Sequence, residues 1–208
     1  MTGFSLIETL RYEPENGFTR LRLHLARLTR SARRLGFSGA AAAEATLGRA
    51  VSGARAPLRV RLTLDRDGSI DVTTAPFVPL ADGAAWRVRI ASTRLDSSDR
   101  LLRMKTTRRS RYEAARSEFS TAEADEVILL NEKGEVCEGT ITSVFLDDGS
   151  GYLKTPPIAC GLLAGVLRTE LICQRRARVE RLAPADLASG RLYIGNSLRG
   201  LIRAELTV

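Results

Sequence analysis

The chain has 208 residues, 44% of them hydrophobic, enough to bury a core as one large domain or two small ones. Its net charge of +8 is spread along the chain without a basic tail interleaved by aromatics, so an arginine-rich solvated surface is the plainer reading and no nucleic-acid partner is expected. A single histidine excludes histidine-rich metal centres, and three scattered cysteines give no disulfide framework; with no apolar run of bilayer length and no secretory signal, a cytoplasmic protein without a metal or a membrane partner is expected.

Phe4 to Arg11 carries a strand's apolar content, and Glu13-Pro14-Glu15-Asn16-Gly17 supplies turn chemistry before Phe18. Between Arg20 and Gly36, Leu21, Leu25, Leu28, Ala32 and Leu35 recur at helical spacing, with Gly36 as the stop. An alanine-rich helix from Ala40 to Val51 follows. Pro57 to Leu64 and Ser69 to Thr73 then form a hairpin about Asp65-Arg66-Asp67-Gly68. Prolines 76 and 79 with Asp82 and Gly83 mark a connection between lobes.

The second half opens with the alternating strand Trp86 to Ile90 and reaches Lys105 near a strand-to-helix junction, before a helix from about Thr107 to Phe119. Glu126 to Leu130, Glu135 to Glu138 and Ile141 to Leu146 read as a meander, and Tyr152 to Thr155 as a further strand. Gly161 to Arg168 leads into a helix. Leu192 to Ile194, the Gly195-Asn196-Ser197 turn and a short strand close the chain.

Only three of the 32 basic residues are lysines, and Lys105 is one of them. Arginine cannot act as an amine nucleophile, whereas a lysine desolvated or set beside other cations can form a Schiff base, so Lys105 is the first candidate for chemistry. On composition alone a solvated cation explains it as well. With one histidine present, acid and base groups must come mainly from lysine, carboxylates, hydroxyls or a cofactor.

The ordered segments Phe4 to Arg11, His24 to Leu28, Lys105-Thr106-Thr107, Glu126 to Phe145, Thr155 to Arg168 and Gly195 to Gly200 resemble the class IV aminotransferase family, fold-type IV enzymes of pyridoxal 5'-phosphate. Within it the likeness is greatest to the aminodeoxychorismate lyase branch, where Lys-Thr-Thr and Asn-Ser-Leu-Arg-Gly recur. The resemblance implies a two-lobed α/β (α+β) fold, with residues 1–81 as a small α/β lobe and residues 82–208 as a larger barrel-like lobe carrying the lysine. The cofactor is expected in the cleft between them. Each motif alone is weakly specific, and their order carries the inference.

By resemblance, Lys105 binds the cofactor and moves protons, Glu138 faces the pyridine nitrogen, and Arg27 takes the phosphate. Helical geometry puts Arg27 roughly 120° from the leucine stripe, which suggests a side chain free to reach a ligand. Val166 and Leu167, following Gly165, would offer backbone N–H groups to the phosphate at a helix start. Asn196 and Ser197 match a second phosphate-side loop, with an ordinary Asx turn as the plainer alternative. His24, one turn before Arg27, reads as structural.

Thr142 and Ser143 match the strand that bonds the cofactor, although Ser143 stands where relatives have asparagine. The tyrosine that often follows the family lysine has no clear counterpart, Tyr112 coming slightly later. Relatives also carry residues ahead of the segment matching Phe4, so the first lobe is expected to be minimal or completed by a partner.

The activity implied is lysis of 4-amino-4-deoxychorismate to 4-aminobenzoate and pyruvate for folate synthesis. It comes with a homodimer and aminodeoxychorismate synthase as pathway partner. Thr9, where branched-chain transaminases have glycine, would place a hydroxyl at the reacting face. The alternative is a class IV transaminase of branched-chain or D-amino acids.

Overall fold

A computed structural model describes residues 3–207 and divides into two compact units. The first runs through Pro79 and takes in Met104–Arg108; the second holds Leu80–Arg103 and the chain from Arg109 onward.

In the first unit, strand β1 (Leu6–Glu13) pairs antiparallel with the short β2 (Gly17–Phe18) on one side and with β3 (Leu58–Leu64) on the other. Strand β4 (Ile70–Pro76) completes the order β2-β1-β3-β4. Helix α1 (Leu21–Leu35) lays Leu28 and Ala32 against Leu6, Leu10, Val60, Leu62 and Leu64, as the 3.6-residue spacing predicts. Its end is set by Gly36, whose φ of 70° is a left-handed conformation open to glycine, and whose N–H bonds the Ala32 carbonyl. Helix α2 (Ala43–Ala50) adds Ala43 and Leu47 to this core.

The second unit is built on a larger sheet. Strands β5 (Ala85–Leu95), β6 (Glu126–Asn131), β7 (Val136–Gly139), β8 (Ser143–Asp147), β9 (Leu153–Thr155), β10 (Ala177–Val179), β11 (Arg191–Asn196) and β12 (Gly200–Leu206) run in the order β10-β9-β8-β11-β12-β5-β6-β7. The pair Glu138↔Ser143 joins β7 to β8 and returns this order on itself, which is as far as the expected barrel-like form is met.

All six residues of β6 are buried. Ile128 and Leu130 face a cluster with Val88, Val144 and Ile194, while Val127 and Leu129 face another with Ala91, Tyr112 and Cys137. A strand covered on both faces reads as an unbroken apolar run, and Val127 to Leu130 is one. Helix α3 (Ser110–Ser117) contributes Tyr112 and Ala115 to the second cluster. Helix α4 (Val166–Cys173) packs Leu167 and Leu171 on Phe145 and Ala177.

The lysine segment belongs with the first unit and not with the C-terminal lobe, because its backbone is paired to the start of β1. The helix expected from Thr107 begins only at Ser110 for the same reason: Thr107 donates its N–H to the Ser5 carbonyl and stays extended.

Candidate active site

Lys105 lies half-buried in an extended segment bridged antiparallel to β1 through Leu6↔Thr106. The Ile7 N–H donates to the Lys105 carbonyl at 2.9 Å, and Ser5 N–H donates to Thr107 Oγ1 at 3.0 Å. Residues opposed in an antiparallel pair share a face, and side chains alternate along a strand. Lys105, opposite Ile7, therefore stands on the face of β1 that also carries Thr9, while Leu6, Glu8 and Leu10 occupy the other. The Lys105 bond in this pairing is made by its backbone carbonyl, so the pairing does not depend on which side chain stands there.

Arg27 does not project free, as helical geometry suggested. It is buried and held to Glu8 by two parallel bonds, Nε to Oε1 at 2.8 Å and Nη2 to Oε2 at 2.6 Å. His24 Nδ1 meets the same carboxylate at 2.6 Å. Burial alone would raise the Glu8 carboxyl, but Arg27's charge and hydrogen bond, with those of His24, bring it down to about 2. Burial lowers His24 below its ordinary value against the opposing pull of Glu8, and the charges of Arg27 and Lys105 act with burial. Glu8 was not singled out from sequence. The signal was present: a carboxylate occupies an inward position between Leu6 and Leu10, opposite a histidine and an arginine one helical turn apart.

Glu138, on β7, is buried and accepts two bonds on Oε1, from the Tyr112 hydroxyl at 2.7 Å and the Leu163 N–H at 3.1 Å. Tyr112, passed over in the sequence because its spacing from Lys105 differs from the family's, is thus joined to the predicted site. The turn after Glu138 is organised from within by Glu126, whose carboxylate accepts the N–H groups of Val127, Thr140 and Ile141 and the hydroxyls of Thr140 and Thr142. Gly139 permits this approach, since a Cβ there would lie 2.3 Å from Thr142 Oγ1. Thr142, expected to bond the cofactor, donates its hydroxyl to Glu126 at 2.9 Å.

At the start of α4, Gly165 lets the helix come against β8: a Cβ on it would meet Ser143 Oγ at 2.5 Å. The first turn holds no acidic residue, and the N–H groups of Val166 and Leu167 belong to those without an intrahelical acceptor. Ser143 pairs with Gly195 on β11, whose own Cβ would strike Leu167 Cδ2 at 2.8 Å. Asn196 takes the plainer alternative, its Oδ1 accepting the Leu198 and Arg199 N–H groups and its Nδ2 bonding the Ile141 carbonyl at 3.2 Å. Ser197 beside it is buried. Arg168, buried in the same helix turn, donates to Thr155 Oγ1 and the Pro156 carbonyl.

These donors suit pyridoxal 5'-phosphate. In the first unit the primary amine of Lys105 answers to its aldehyde; in the second, the buried Glu138 carboxylate, to which Tyr112 and Leu163 donate, answers to its ring nitrogen, and the helix start cleared of side chain by Gly165 to its phosphate.

The model of the family described as amino-transferase class IV matches residues 5–206. A Schizosaccharomyces pombe protein named "Putative aminodeoxychorismate lyase" is 30% identical over 176 residues, 83% of this chain and 74% of that one. The crystal structure of a "Putative amino-acid aminotransferase" from Mesorhizobium loti is 50% identical with a TM-score of 0.95, covering 98% of this chain and 100% of that one. A "Putative 4-amino-4-deoxychorismate lyase" structure is 30% identical with a TM-score of 0.84, over 98% and 85% of the two chains. The chain belongs to the class IV aminotransferases, enzymes of pyridoxal 5'-phosphate.

Proposed function

We propose that this enzyme is a 4-amino-4-deoxychorismate lyase, forming 4-aminobenzoate and pyruvate. What supports the reading is the strand register, in which Lys105 is opposite Ile7 and so falls on the face of β1 that also carries Thr9. Two relatives at 30% identity bear lyase names. Bound pyridoxal phosphate supplies an aldehyde that captures amines and a protonated ring that draws electrons from the carbon next to the captured nitrogen.

Lys105 is the amine that would hold the cofactor, and its Nζ is the base that would take the proton from the substrate ring carbon bearing nitrogen. Glu138 would keep the cofactor's ring nitrogen protonated. The backbone N–H groups of Val166 and Leu167 hold phosphate, with Arg27 as the cation kept in place by Glu8, and with Ser143 and the Asn196-Ser197 turn beside the helix start. Thr9 guides a proton, directly or through a water, as the enolpyruvyl group departs and the ring becomes aromatic. Thr142 acts through the turn that it ties to Glu126.

The same reading takes the protein as a cytoplasmic homodimer. Aminodeoxychorismate synthase would supply its substrate. Among the described residues no helix is long and apolar enough to cross a membrane.

The second reading, amino transfer between amino and keto acids, is favoured by the name of the Mesorhizobium loti relative. Assaying one preparation for 4-aminobenzoate release and for amino transfer from branched-chain and D-amino acids separates the two. Brisk transfer without 4-aminobenzoate would discard the lyase reading. Borohydride reduction of the loaded enzyme tests the amine itself: label on Lys133 or Lys154, with Lys105 unmodified, would discard the assignment of Lys105.

A further inference from the structure

We propose that Tyr112 is a positioning residue for Glu138, fixing its carboxylate and making it less basic so that a proton shared with the cofactor's ring nitrogen stays on the nitrogen. This rests on the role given to Glu138 above. The tyrosine hydroxyl and the Leu163 N–H both donate to Oε1, at 2.7 and 3.1 Å, and two donors on one oxygen fix the rotation of the carboxylate. Tyr112 is itself held: α3 anchors its backbone, its ring packs with Ala91, Ala115 and Val127, and the Arg109 guanidinium sits 4.6 Å above it. Burial and the adjacent Glu138 charge both push its phenol well above the ordinary range, so it remains a donor at every working pH.

A hydrogen bond donated to a carboxylate favours the ionised form. When a carboxylate and a ring nitrogen share one proton, the less basic carboxylate leaves it on the nitrogen, and the pair titrates as a unit. The electron-withdrawing power of the ring depends on that proton. The tyrosine thus acts on the reaction without touching substrate.

The test uses the full-length enzyme loaded with pyridoxal phosphate labelled with ¹⁵N in the ring, and reads the ¹⁵N resonance against pH. Tyr112→Phe keeps the packed ring and removes only the hydroxyl. Its resonance is expected to move toward unprotonated pyridine, with kcat down roughly tenfold, the equivalent of one pKa unit, and KM little changed. Fluorotyrosine installed at position 112, a stronger donor, should move the resonance the opposite way. Glu138→Gln serves as the reference and should move it toward unprotonated pyridine further than Tyr112→Phe. If Glu138→Gln moves the resonance and neither change at Tyr112 does, the positioning role is overturned and the reading of Glu138 stands. If none of the three moves it, Glu138 does not face the ring and both inferences fall.

Discussion

Glu8 and Arg27 clasp each other through two parallel hydrogen bonds on the inward face of β1, each side chain almost wholly buried. A bidentate pair fixes the plane of the guanidinium. It also makes each member dependent on the other, since removing one strands a buried charge. Glu8→Ala is expected to lower unfolding free energy by about 3–5 kcal/mol and to weaken retention of pyridoxal phosphate, because Arg27 loses its hold. Urea unfolding and equilibrium dialysis measure the two effects. Unchanged stability would mean that Arg27 finds another partner as good.

The same cluster sets a pH dependence. His24 is lowered from 6.5 in the fold, so the unfolded chain takes up a proton that the folded chain refuses, and stability falls as pH drops below about 6.5. Glu8 acts lower down. Its carboxyl is held at about 2 against 4.5 when unfolded, so its stabilisation is complete above pH 4.5 and is lost as pH falls toward 2. The urea midpoint should decline from about pH 6.5 downward in the wild type, and His24→Asn should flatten the upper part of that decline. A wild-type midpoint level from about pH 7 to pH 5 would contradict it.

Gly165 and Ser143 make a paired test of the helix start. The Cβ of Gly165→Ala would meet Ser143 Oγ at 2.5 Å, so either the Ser143 hydroxyl rotates out of its place or α4 backs away from β8. Weaker cofactor affinity and a loss of about 1–3 kcal/mol in stability are expected. Removing the obstructing oxygen with Ser143→Ala should restore part of the stability in the double variant, a coupling that a double-mutant cycle isolates. Additive losses would show that the two residues do not oppose each other.

What could be read from the sequence follows from the range of the forces involved. Helix α1 was legible because its leucines and Gly36 act locally, and β6 because both of its faces are covered by apolar layers. Lys105 stood out by composition and motif. Its place on β1 could not be read, because the bridge Leu6↔Thr106 spans 100 residues of sequence and is made by backbone atoms that every residue shares. Strand β10 was missed for a related reason: three residues, two of them exposed, carry almost no periodic signal. The partners of the site residues were the least visible. Tyr112 reaches Glu138 across 26 positions, and the five donors on Glu126 include three backbone N–H groups that no side-chain pattern announces.

Thr9 carries the sharpest consequence of the strand register. It stands on the Lys105 face of β1, paired with Arg61 of β3, one alternation beyond the Ile7 that faces the lysine. Its hydroxyl is the feature that separates it from a purely structural β-branched residue. Thr9→Val keeps the branched shape that suits a strand and deletes only the oxygen, so the sheet and cofactor binding should persist. If that oxygen guides the proton during loss of the enolpyruvyl group, 4-aminobenzoate formation should fall by about 100-fold, the lower end of what a positioned acid or base contributes. Amino transfer by the same preparation, which needs no such departure, should fall much less. An equal loss in both activities would instead point to a general disturbance of the strand, and undiminished 4-aminobenzoate formation would remove Thr9 from the reaction.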